Sequence, residues 1–203
     1  MHRIIAAAAA LIAFAEPALA HHVMGGKMPA TFGQGLLAGF GHPIIGLDHF
    51  AAVIAVGCLA ALHRSGAILV PAYVVAMMLG VGAHLLGAGV PAAEILVALT
   101  VLALGGILLQ QRQMPSAVAL VLFAVVGLIH GYALGESIFG AERTPVIAYL
   151  IGLAVIQTLI ALGAMYVTRT ILARGDAITP RLIGAGIAGI GIAILVQQLV
   201  PAA

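Results

Sequence analysis

The chain has 203 residues, of which 64% are hydrophobic and 7% charged, where soluble domains carry roughly 25% charge. That composition marks an integral membrane protein and excludes a soluble domain. Its 8 Lys and Arg against 6 Asp and Glu are too balanced for nucleic acid or an acidic partner, and Cys58 alone can form neither an intrachain disulfide nor a cysteine-based zinc site.

Residues 1–20, MHRIIAAAAALIAFAEPALA, combine Arg3 in a short positive start, an apolar run from Ile4 to Ala15 and an Ala18-Leu19-Ala20 exit, the pattern of a cleaved signal peptide. The run is too short to cross about 30 Å of hydrocarbon at roughly 1.5 Å per residue. Cleavage makes His21 the mature N-terminus, on the periplasmic side. The new start, HHVMGGKMP, offers an amine and imidazole at His21, a second imidazole at His22, and the thioethers of Met24 and Met28. These can capture a metal, or the segment can be a tail with no ligand role.

Residues 21–203 are expected to form one six-helix transmembrane domain of the all-α class. Its apolar segments run from about Gly46 to Leu62, Ala67 to Leu86, Pro91 to Leu109, Ser116 to Ser137, Pro145 to Leu172 and Pro180 to Leu199, each near the roughly 20 residues of a spanning helix. Thr144-Pro145 and Thr179-Pro180 place a capping hydroxyl before a first-turn proline. With the mature N-terminus outside, the inward loops hold Arg64, Arg112, Arg169, Arg174 and Arg181, and the outer segments hold Lys27 and Arg143, in keeping with the positive-inside rule. In the last segment Gly184 with Ala188, and Ala185 with Gly189, have the spacing of close helix packing in lipid.

The first segment raises a question of polarity. The stretch GHPIIGLDHF, residues 41–50, puts two histidines and an aspartate into a chain with almost no charge. Phe50 to Leu62 is about 20 Å of helix, too short to span, so the span includes Asp48 and His49. Counted from the cytoplasmic edge, these residues lie about 20 Å up, and His130 about 21 Å up from Ser116. His84 comes at about 25 Å, with Glu94 and Glu136 near the outer edge. Glu94 also suits a helix N-terminus, which favours negative charge.

Ionisable residues inside a bilayer cost several kcal/mol, so they face the interior and pair. Carboxylates among imidazoles at one depth can hold a divalent cation. Pro43 disfavours helix at His42, and Gly46 permits unusual dihedrals, which predicts a bent or broken helix start. Irregular backbone of this kind lines cavities in membrane proteins. His42, Asp48 and His49 are therefore the first metal candidates, with His130, Glu136 and His84 as companions. His63, beside Arg64, falls in a loop.

These motifs, His42-Pro-Ile-Ile-Gly46-Leu-Asp48-His49 with Gly57 and His130-Gly-Tyr-Ala-Leu-Gly135-Glu136, lie in a chain with a signal peptide and six spans. The sequence thereby resembles the HupE/UreJ family, membrane proteins associated with hydrogenase and urease maturation and regarded as nickel permeases. GHPIIGLDHF is also similar to the H-x4-D-H signature of the wider nickel/cobalt permeases, with one residue more. The resemblance implies metal recognition at His42, Asp48 and His49, with His130 and Glu136 as companions. Many members carry histidines where this chain has Leu134 and Ile160, which suggests a rearranged ligand set.

The expected function is a secondary permease of the inner membrane, not an enzyme, importing Ni²⁺ first and Co²⁺ second, with no permanently bound cofactor. No G-x-x-x-x-G-K-[ST] motif is present, so any energy comes from gradients or another subunit. The expected partners are the divalent ion, the lipid bilayer and, as an option, further copies of the chain. Two alternatives use the same residues. One is an intramembrane zinc hydrolase, with His42, His49 and His130 as ligands and Glu136 as base, although no H-E-x-x-H occurs. The other is a membrane metal sensor or donor.

Overall fold

The chain folds from Thr31 onward into helices set by capping chemistry and apolar length. A computed structural model describes residues 27–111 and 114–200; the expected signal peptide at residues 1–20, His21, His22, Met24 and Arg112 lie outside the described residues. Seven α-helices and no strand occur among the described residues. They are α1 Phe32–Ile45, α2 Leu47–Ala61, α3 Gly66–Leu85, α4 Ala93–Gln110, α5 Ser116–Glu136, α6 Arg143–Ala173 and α7 Ile178–Leu199.

Helices α3 to α7 are each long and apolar enough to cross a membrane. α1 and α2 meet at a bend of 79° and make a sixth crossing if taken as one broken span. The five long helices match the five later apolar segments. α1 occupies a stretch that hydropathy alone leaves outside the first segment. Its start is a variant of the capping box: the Thr31 hydroxyl at the N-cap accepts the Gln34 amide at 3.2 Å, satisfying a donor that a bare helix end leaves unpaired, and the Gln34 side chain reaches back one residue further, to the Ala30 amide at 2.8 Å.

Two expected helix starts are corrected. α6 begins at Arg143 with Glu142 at its N-cap and no side-chain cap bond, so Thr144 and Pro145 lie within the first turn. At α7 the N-cap position is Ala177, and the carboxylate of Asp176 just before it accepts the amides of Ile178 and Thr179, each at 3.0 Å, and the Thr179 hydroxyl at 2.5 Å. A carboxylate at a helix N-terminus outcompetes a hydroxyl for the unpaired amides because it also answers the helix dipole. The Thr179 hydroxyl and these amides hold the Asp176 carboxyl below its ordinary value.

α2 is the hub. Ala52, Val53, Ala55, Val56 and Ala60 are completely buried, and α2 touches α1, α3, α4, α6 and α7. In lipid, helices gain no hydrophobic drive toward one another, so small side chains that admit close packing set the association. The most extensive pairings around the hub are α3 with α5, α4 with α7, and α1 with α6. Gly131 of α5 lies directly on the Met77 backbone of α3, where a Cβ would collide. On α7, Gly184 and Ala188 meet Gly105 of α4, whereas nothing lies near Gly189 and Ala185 is exposed. Of the two small-residue pairs, only the first forms a seam. Ile68, Leu79, Val121, Leu159 and Leu182 point outward, as lipid-facing side chains do.

Candidate metal centre

The site begins at the α1–α2 break. The expectation that Pro43 drives His42 out of helical conformation is corrected: α1 runs through both residues to Ile45. The final turn is closed by the Gly46 amide donating to the His42 carbonyl at 2.9 Å, so the missing proline donor does not unwind it. The break falls on the single residue Gly46, with φ −70° and ψ 102°. That is ordinary extended backbone open to any residue, so glycine is needed there for a steric reason. A Cβ at Gly46 would stand 3.0 Å from His49 Cδ2, 3.1 Å from Asp48 Oδ1 and 3.3 Å from the His42 carbonyl oxygen. The absent side chain leaves room for the groups of the motif.

The two histidines expected at one depth are in contact. His49 Nδ1 and His130 Nδ1 are 2.9 Å apart, and His130 Nε2 is 2.9 Å from Thr100 Oγ1. The Thr100 hydroxyl donates to the Val97 carbonyl at 2.7 Å. Its oxygen must therefore accept from His130 Nε2–H. A neutral imidazole carries one N–H and one bare nitrogen, so His130 Nδ1 is bare and accepts from His49 Nδ1–H. The Cδ2 edge of the His49 ring is the part nearest the space at Gly46. A metal-binding histidine ordinarily has its other nitrogen donated to a fixed partner in this way.

Two further motif residues border the same space. Asp48 Oδ1 accepts the His49 amide at 2.7 Å, which fixes the carboxylate at the first turn of α2, and Asp48 is half-buried. His42 is buried, with its ring centroid 5.9 Å from that of His49 and 6.5 Å from that of Tyr149, edge-on to the latter. The Tyr149 hydroxyl donates to the Leu134 carbonyl at 2.8 Å and is 2.9 Å from Ser137 Oγ, so the phenol beside His42 also ties α6 to α5.

The remaining candidates stand elsewhere. His84 lies between α3 and α5, its ring 4.6 Å from Tyr132 and 5.5 Å from Phe139, and its buried Nδ1 has no hydrogen-bond partner among the described residues. Glu136 is exposed, and Glu94 sits in the first turn of α4. Among the described residues, no group of three or more His, Cys, Asp or Glu is already positioned around one ion. His49 and His130 each commit a nitrogen to the other, and the His42 ring stands one step back. Sequence reasoning missed Thr100 and Tyr149. The available signal was a hydroxyl inside an apolar run, since such groups in lipid seek partners on neighbouring helices.

The sequence model of the family described as HupE / UreJ protein matches residues 9–194. Protein HupE of Rhizobium leguminosarum bv. viciae is 31% identical over 189 residues, covering 92% of this chain and 95% of that protein. No solved structure matches. Both likenesses run through the bent α1–α2 pair and the five long helices behind it, and this multi-pass membrane protein belongs to the HupE/UreJ family.

Proposed function

We propose that the protein is a permease that carries a divalent first-row metal ion, Ni²⁺ first and Co²⁺ second, inward across the inner membrane, with its mature N-terminus in the periplasm, to supply hydrogenase or urease maturation. The observation that carries this reading is the meeting of His49 and His130 at 2.9 Å inside the bundle, beside Asp48 and the Gly46 break, with Thr100 holding the far nitrogen of His130. Imidazole nitrogen with carboxylate oxygen is a donor set suited to nickel and cobalt. In this reading His49 and Asp48 take the ion, His42 closes in as a third ligand, and His130 positions His49. Asp48 and His49 bind the ion in their deprotonated forms, so loading is favoured as the pH rises. His84, about one turn further out, is an outer companion on the path of arrival.

The same geometry favours carriage over hydrolysis. A catalytic zinc holds about three protein ligands in fixed array with an open position, whereas here the third ring must move. A set that is completed only when the ion arrives suits a site that has to release it again. The test is uptake of radioactive nickel by proteoliposomes holding the purified protein. Saturable uptake, suppressed by cobalt and lost in His49→Ala and Asp48→Ala, is expected; uptake unchanged in both variants would sink the proposal.

A further inference from the structure

A second polar group is buried deeper in the helix bundle. Tyr73 of α3 donates its hydroxyl to Gln157 Oε1 of α6 at 2.9 Å, and both residues are completely buried. Packing fixes their level. Gly127 of α5 lies on the Tyr73 carbonyl and Gly57 of α2 on the Ala161 carbonyl. Gly127 is almost one turn inward of His130. Gln157 is one turn outward of Ala161, level with Val53 and one turn inward of His49. The Tyr73–Gln157 bond therefore stands about 5 Å closer to the cytoplasm than the His49–His130 pair.

The Gln157 amide is not satisfied there. Its Nε2 is buried and has no hydrogen-bond partner among the described residues, although leaving a buried donor unmatched costs about 1–3 kcal/mol. A bond that served only to join α3 to α6 would not need a group with two spare donors; a hydroxyl in place of the amide would do. The amide has a second arrangement. Turned over, Nε2 donates to the Tyr73 oxygen, the Tyr73 hydrogen gives up Oε1 as its acceptor, and Oε1 takes the place of the orphaned nitrogen. In that arrangement Gln157 presents a neutral oxygen that can accept a cation or the hydrogens of its water shell.

Further inward the polar line continues. The Thr168 hydroxyl of α6 donates to Cys58 Sγ of α2 at 3.2 Å, and both are buried. Beyond them His63 is buried in the α2–α3 turn, its carbonyl accepting from Arg169 at 3.0 Å. Cys58 belongs to α2 and His63 to the turn after it, and Thr168 reaches α2 through Cys58.

We propose that Gln157, with Tyr73, is an inner station for the divalent cation between the outer histidine site and the cytoplasmic end of α2. Its oxygens are uncharged, so the ion is held in passage without being trapped, as conduction through successive sites requires. Inverting the amide converts the station from a closed hydrogen bond to an ion ligand, with no net change in charge. The inference rests on the metal-carriage reading above.

The test pairs two measurements on wild type, Gln157→Leu and Tyr73→Phe: initial nickel uptake by proteoliposomes, and equilibrium nickel binding by the purified protein. Wild type with neither saturable uptake nor binding would overturn the functional reading and the inner station with it. Given wild-type uptake, Gln157→Leu should slow it about tenfold while the outer-site Kd stays within about threefold, because removing a passage site changes rate without changing first capture. Tyr73→Phe removes one oxygen, leaves packing intact and should give the same split, which covers the case in which Gln157→Leu fails to fold. Unchanged uptake in folded variants, or uptake and binding falling together with thermal stability, would assign the pair to helix packing and overturn the inner station.

Discussion

The α1–α2 break and the α4–α7 seam use glycine for opposite purposes. At the seam Gly105 and Gly184 are absent side chains between two backbones, and the helices touch where a Cβ would collide with main chain. At the break Gly46 is an absent side chain between functional groups, and the space it leaves is bordered by His49, Asp48 and the His42 carbonyl. The two seam glycines hold the bundle together and Gly46 holds it open. The difference teaches that small residues in this apolar chain carry two messages, which only their neighbours distinguish.

Substitutions separate the two. His49→Ala removes the imidazole at the break and should abolish nickel uptake in proteoliposomes while the melting temperature in detergent stays near wild type. Thr100→Val removes the acceptor that fixes the His130 tautomer, and nickel affinity should fall about 10- to 100-fold, as for other supporting partners of metal-bound histidines; isothermal titration reads the change. Gly105→Leu forces bulk into the seam and should cost about 1–3 kcal/mol of stability, seen as a lower melting temperature, with nickel Kd unchanged in the folded fraction. Gly189→Ala, on α7 with Gly184 but facing nothing within 4 Å, should stay within about 0.5 kcal/mol of wild type.

A smaller effect concerns pH. Burial holds the His63 imidazole below its ordinary value of 6.5, so the unfolded chain takes up a proton there more readily than the folded one. Its effect is to lower stability as the pH falls below about 6.5 and to vanish above it. Melting curves recorded from about pH 7.5 to 5 should be flatter for His63→Gln than for wild type.

Much of this architecture was legible in the sequence because lipid imposes a simple code. Runs of about 20 apolar residues can only be helices, and rise per residue alone put His49 and His130 at one depth. The motif at residues 42–49 stood out because ionised groups in lipid are costly. What hydropathy could not supply was carried by uncharged polar groups. Thr100, Tyr73 and Gln157 are no costlier than many residues in a span, and their meaning appears only when a neighbouring helix brings their partners. α1 was hidden for a related reason: its capping box, Thr31 to Gln34, was in plain view, but Gly35 and Gly39 make a helix surface only once α6 covers them. His63 was taken for loop and is loop, yet Arg169 and Gly66 close over it.

The central claim is that the ion binds at the break through His49, and the most direct measurement is X-ray absorption at the nickel edge of nickel-loaded purified protein. The account predicts imidazole scattering in the wild-type spectrum together with oxygen ligands, and loss of one imidazole contribution in His49→Ala at matched nickel occupancy. A spectrum without imidazole scattering, or one identical in wild type and His49→Ala, would contradict it.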